Sequence, residues 1–175
     1  MTFNKLHILL LTLIALSFLT CERDDICAAA TGTTPNLIIR FYDINNPENT
    51  KSVPQLSIFG EGNEEEAILG AVNTDSINLP LNFDAEDNLA ITRFILKKDS
   101  NLDTDDDDVT VSNTDIIEIS YTPQFIYVSR ACGYKSVFNG AQISFDNDDD
   151  NWIINTEVLN ETIENENAAH IIIYH

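Results

Sequence analysis

From residue 35 onward the chain is a succession of short apolar runs punctuated by Asn, Asp, Gly and Pro. Residues 37–42 form a dense run rich in β-branched and aromatic side chains, opened by Pro35 and closed by the polar stretch 43–47. Residues 56–59 follow Pro54 and stop at Gly60. Ile77, Leu79 and Leu81 alternate with Asn78 and Pro80. That is the period of a half-buried strand, and Pro80 marks it as an edge because proline has no N–H for a ladder. Residues 89–97 are apolar on both faces and read as a central strand. Further runs follow at 109–111, 116–121, 125–130, 136–138, 142–145, 152–159 and 169–174. Their intervals lie near the roughly 8–12 residues expected of sandwiches. Helical spacing is nearly absent, and 156–167 is the one stretch that tolerates it. The pattern predicts an all-β fold, a single β-sandwich of mostly antiparallel strands over residues 35–175. A closed β-barrel is the alternative.

The first 20 residues are of another kind. Lys5 supplies a positive charge and residues 6–19 are almost wholly apolar, which reads as a signal peptide. The run is shorter than the roughly 20 residues a spanning helix needs. It ends in Phe18-Leu19-Thr20-Cys21, which resembles the lipobox of bacterial lipoproteins. There the cysteine thiol is alkylated by diacylglycerol, the leader is cleaved, and the new amino terminus is acylated. Thr20 is bulkier than the Gly, Ala or Ser usual at its position. The resemblance implies lipidation at Cys21, a tether over residues 21–34, and a membrane anchor, stable because two or three acyl chains are buried together. A secreted chain with a spare cysteine near its cleavage site is the plainer alternative. Glu22, Asp24 and Asp25 follow at once. This cluster resembles the export signal of Bacteroidota surface lipoproteins, which favours the cell-surface face of the outer membrane over the periplasmic one.

Two cysteines remain, Cys27 and Cys132. Beyond the inner membrane the compartment is oxidising, so an even pair is expected to be bonded. The bridge would close a span for which chain entropy assigns nearly 5 kcal/mol, at about 4.7 for a loop of about 100 residues. Two buried, unpaired thiols are the alternative. Five residues lie between Cys21 and Cys27. Fully extended they reach about 20 Å, so a bridge at Cys27 would hold the folded chain near the bilayer.

Charge narrows the functions available. Asp and Glu number 29 against 9 Lys and Arg, a formal charge of −20, and loss of the leader removes Lys5 and no acid. No basic stripe is left to neutralise phosphates, which argues against a nucleic-acid partner. The chain is 43% apolar, so it has the means to fold despite this charge. About 155 mature residues suit one domain with a true core.

Several stretches together resemble one family. They are Cys21-Glu22-Arg23-Asp24-Asp25-Ile26-Cys27, then Thr34-Pro35-Asn36-Leu37-Ile38-Ile39-Arg40-Phe41-Tyr42-Asp43, then Ser129-Arg130-Ala131-Cys132-Gly133-Tyr134, and Asn165-Glu166-Asn167-Ala168-Ala169-His170-Ile171. The family is an uncharacterised Bacteroidota lipoprotein family, number 6452 among the domains of unknown function. The resemblance implies a lipoprotein with a small β-rich domain and no assigned activity, and it carries over no catalytic or binding residues.

The sharpest candidate for chemistry is the segment 146–157. Asp146, Asp148 and Asp150 stand at positions 1, 3 and 5 and Glu157 at position 12, the spacing by which a loop wraps Ca2+. Against it, Asn151 stands where glycine is expected, and a strand continuing from Trp152 would carry Glu157 away. A solvated acidic turn is the alternative. The run 103–108 is a second acidic block, without the twelfth-position Glu. His170 and His175 are five apart, so on one strand they point to opposite faces and cannot share a metal. Arg40, Arg93 and Arg130 sit in apolar strands, as anion clamps or as partners of local acids. Tyr121, Phe125 and Tyr127 would form either a sugar-stacking surface or a core and its rim. No nucleophile elbow, Cys–His pair or phosphate-cradling glycine loop occurs. The expectation is a non-enzymatic, lipid-anchored accessory or binding module without a cofactor. It would be membrane-bound through its lipid and serve an unidentified envelope protein or glycan. A Ca2+- or glycan-binding surface protein is the alternative.

Overall fold

In the computed structural model, residues 26–28, 31–84, 86–100 and 112–175 are described, together with His7. Cys21, the acidic run 103–108 and the expected strand at 109–111 lie outside them. Ten strands form among the described residues: β1 Leu37–Asp43, β2 Asn46–Thr50, β3 Val53–Gly60, β4 Asn63–Thr74, β5 Ser76–Leu79, β6 Ala90–Lys98, β7 Asn113–Ser129, β8 Gly133–Phe145, β9 Asn155–Val158 and β10 Ile171–Tyr174. They build two five-stranded sheets. One runs β2-β1-β10-β9 with β5 also paired to β1, and the other runs β4-β3-β6-β7-β8. Both sheets are open, so the sandwich forms and the barrel does not. Pairing is antiparallel except between β1 and β10.

Alternation explains the core. Leu37, Ile39 and Phe41 of β1, Phe94 and Leu96 of β6, and Ile117, Ile119 and Tyr121 of β7 stand two apart and are all but sealed from solvent. Ile171 and Ile173 of β10 join them, with Trp152, Ile153 and Ile163 supplied by irregular chain. As expected, β5 is an edge pairing only with β1 and β6 is central between β3 and β7.

Where the elements differ from the sequence reading, the reason is physical. The two runs 116–121 and 125–130 are one 17-residue strand, β7. Pairing with β6 ends at Tyr121, so the N–H missing at Pro123 breaks no bond to β6. The runs 136–138 and 142–145 are likewise one strand, β8, which passes a left-handed Gly140 at φ +64°. The 152–159 run narrows to β9, and 156–167 is no helix: Phe138 of β8 exchanges backbone hydrogen bonds with Ile163 instead. Two strands were not read from the sequence at all: β2, polar throughout, and β4, whose second half is the run Ala67-Ile68-Leu69-Gly70-Ala71-Val72. In β4 nearly every side chain is exposed, and Glu64, Glu65 and Glu66 mark it as a charged edge.

Contacts divide the chain into two compact units, Met1–Thr31 with Tyr127–Tyr134, and Gly32–Ile126 with Lys135–His175. The whole apolar core belongs to the second. No helix among the described residues is long and apolar enough to cross a membrane.

Candidate functional site

The smaller unit is built around a covalent bond. Cys27 and Cys132 form the expected disulfide across 105 positions. Cys132 lies in the turn between β7 and β8, where its N–H donates to the Ser129 hydroxyl at 3.1 Å. On the two strand ends that flank the turn, the Tyr127 and Tyr134 rings meet edge to face with centroids 5.4 Å apart. Both rings remain wet, Tyr127 56% and Tyr134 68% exposed, and Ile26 beside the bridge is 84% exposed. A cleft of about 410 Å³ opens here, lined by Ile26, Ala28, Thr31, Tyr127 and residues 129–132.

Arg130 on this cleft is exposed and enters no ion pair among the described residues. The other two strand arginines behave differently. Arg93 on β6 is held by three carboxylates: Glu61 at 2.9 Å, Glu118 directly across on β7 at 2.9 Å, and Asp146 at 2.6 Å. The hydrogen bond that it donates to Glu118 leads the upward shift of its pKa. Arg40 on β1 pairs with Asp75 at 3.3 Å. Asp75 is held below the usual carboxylate range by hydrogen bonds, first from Thr50 and then from Arg40, against a smaller opposing effect of burial. So two arginines answer local acids, and the third has no acid partner among the described residues.

The four acids with Ca2+-loop spacing are not brought together. Asp146 is taken by Arg93. Asp148 accepts from the Asp150 N–H at 3.1 Å, closing its own turn, while Asn151 bridges the loop from the Asp148 N–H to the Asp146 carbonyl. Asn113 donates to the carbonyl of Asp150, and Glu157 sits on β9, accepting from the Tyr174 hydroxyl at 2.9 Å. Among the described residues no three His, Cys, Asp or Glu come together to hold a metal. The loop closes on itself: the Asp146 carboxylate and carbonyl, Asp148 Oδ1 and the Asp150 carbonyl already serve neighbours.

Of the aromatic candidates, Tyr121 is core, with its hydroxyl donating to the Asn82 carbonyl at 2.8 Å, and burial raises its pKa. Phe125 is 37% exposed and Tyr127 stands on the cleft. His170 and His175 flank β10, each nearly sealed. His170 Nδ1 accepts from the Ile38 N–H at 3.0 Å, which leaves Nε2 to donate to the Asn165 carbonyl at 3.0 Å. That is a neutral ring wedged between β1 and the approach to β10. His175 Nε2 donates to the Lys51 carbonyl at 3.1 Å. Burial pushes both imidazoles below their usual pKa.

Two residues escaped sequence reasoning. Asp115 is 1% exposed, with Oδ2 accepting from the Ile153 N–H at 2.7 Å and Oδ1 left without a partner. Burial raises its pKa, opposed by hydrogen bonds from the Trp152 and Ile153 backbone. Its signal was present, since it stands two before Ile117 on the inward register of β7. Tyr134 carried no such signal; only the strand pairing reveals that it faces Tyr127.

The family described as a family of unknown function (DUF6452) matches residues 55–175. The stretches at 129–134 and 165–171 lie within that match, and those at 21–27 and 34–43 precede it. No curated protein and no solved structure matches the chain.

Proposed function

The chain belongs to DUF6452, a family of unknown function, and we propose that its member here is a lipid-anchored lipoprotein of the outer membrane, a non-enzymatic accessory or binding module. The observation that carries this reading is the Cys27–Cys132 bond. Such a bond persists in oxidising compartments, beyond the inner membrane. It also lies immediately downstream of the lipobox-like Phe18-Leu19-Thr20-Cys21, which would place the acylated residue and the cross-link five residues apart. Supporting a non-enzymatic role, the carboxylate most displaced by burial, Asp115, serves the backbone of Ile153. The arginine with three carboxylates holds strands together. The exposed Tyr127 and Tyr134 rings beside a cleft supply a contact surface.

The test is the mass of the mature chain recovered from membranes. A first residue of Cys21 carrying diacylglycerol and an N-acyl chain is expected, and blocking the lipoprotein signal peptidase should accumulate the precursor. A soluble chain of unmodified mass overturns the anchoring.

A further inference from the structure

We infer that the surface made by Ile26, Tyr127, Arg130 and Tyr134 is a docking face for phospholipid headgroups, so that the smaller unit lies on the bilayer that anchors the chain. The inference rests on the lipoprotein reading above. Three observations within this unit point the same way. Ile26 and the edge-to-face Tyr127–Tyr134 pair are large, exposed side chains, and no described residue of this unit belongs to the apolar core. Tyrosine is favoured where one end of a side chain is apolar and the other wet, the condition at a membrane–water interface. Arg130 has no ion-pair partner among the described residues, in a chain where 29 acids compete for 9 Lys and Arg. A planar guanidinium without a carboxylate suits a phosphate, which it binds with two parallel hydrogen bonds.

Chain length then selects the occupant. Between Cys21 and Cys27 the backbone reaches at most about 20 Å, and the disulfide passes that limit on to Cys132. Tyr134 is two residues beyond Cys132 and Tyr127 five before it. With the acyl chains inserted, this unit is confined to a thin layer over the headgroups, where even weak contacts are made at high effective concentration. The charge of the rest of the chain opposes close approach to an anionic surface.

The experiment uses the full acylated chain in vesicles of phosphatidylethanolamine and phosphatidylglycerol, with a nitroxide on the headgroup. Trp152 is the sole tryptophan and is 7% exposed, so it serves as the unquenched reference and reports folding. Tyr134→Trp should add an emission that the nitroxide quenches, while Trp152 keeps its intensity. Adding Arg130→Ala should lower the docked population about fivefold, the value of one basic residue at an anionic surface. An acylated Tyr134→Trp chain, verified by mass, whose added emission is not quenched overturns the docking face. So does protection of that tryptophan by envelope polysaccharide and not by lipid, which would make the surface a glycan site. A mature chain found by mass to carry no acyl groups sinks the anchor, and quenching of its Tyr134→Trp by added vesicles would then uphold the face by itself.

Discussion

The two units spend the same kinds of side chain differently. In the larger one, aromatics and aliphatics on alternate positions of β1, β6 and β7 are sealed, and the strand arginines Arg40 and Arg93 are matched by acids. Among the described residues of the smaller one, two tyrosines and an isoleucine stand in water, Arg130 pairs with no acid, and the disulfide joins the two segments. Burial of apolar area is what stabilises the first, at roughly 25 cal/mol per Å² removed from water. A unit of so few residues has too little area to bury and needs a covalent staple. The core has used up its chemistry on itself, and the described residues of the smaller unit leave theirs exposed.

The sharpest way to break this comparison is to open the core. Phe94→Ala on β6 removes a ring that is 1% exposed and should destabilise the protein by about 3–5 kcal/mol in urea unfolding. A loss under about 1 kcal/mol would mean that the sandwich is not held by this cluster. Cutting the staple comes next. Cys27→Ser with Cys132→Ser should cost about 2–4 kcal/mol, and reduction of the wild type should reproduce it. If the double variant unfolds at the wild-type midpoint, the smaller unit contributes nothing to the constraint on the unfolded chain.

Asp115 tests the polar side of the core. Asp115→Ala leaves the buried Ile153 N–H without an acceptor, an expected loss of about 1–3 kcal/mol. Asp115→Asn keeps an acceptor and removes the buried charge, so it should lose less. Burial raises the folded pKa of Asp115 above its ordinary 3.8. Between those two values the folded state holds a proton that the unfolded state has released, so this group makes stability rise on acidification through the window. The histidines run the other way. Their folded pKa values lie below 6.5, so their contribution is complete above pH 6.5 and declines as pH falls from there toward the folded values. Urea midpoints should therefore drop below pH 6.5, and His170→Gln with His175→Gln should flatten that slope. A slope unchanged in the double variant would show that neither ring is held neutral.

Much of the fold was readable because period-two alternation is a direct image of a half-buried sheet. Leu37, Ile39 and Phe41 could hardly have been placed otherwise, and Pro80 announced an edge. The strands β2 and β4 were hidden for different reasons: β2 is polar and exposed throughout, while the apolar run 67–72 of β4 lacks period-two alternation and half-buries only Leu69. Pro123 and Gly140 misled for the opposite reason, as breakers whose cost vanishes where pairing has ended or a left-handed turn is wanted. The site was less legible. The disulfide followed from counting, but the acidic loop at 146–150 had metal spacing without metal geometry, because Arg93 and Asn151 claim its oxygens. Nor does composition separate Arg130 from Arg93, since whether an acid faces an arginine is decided by strand register.

The smallest expected effect is the most telling about the smaller unit. Tyr134→Ala removes a ring that is 68% exposed, so little apolar area is returned to water, and its edge contact with Tyr127 is the main loss. Urea unfolding should shift by no more than about 0.5 kcal/mol, the range of surface substitutions. Tyr127→Ala should behave alike, and the two together should be nearly additive, less any small energy of the ring pair. A cost approaching that of Phe94→Ala would mean that Tyr134 is packed as core residues are, and the contrast between the two units would fail. If the cost is near zero, the pair has been kept in water without a stabilising role, and its reason lies in what it touches outside the chain.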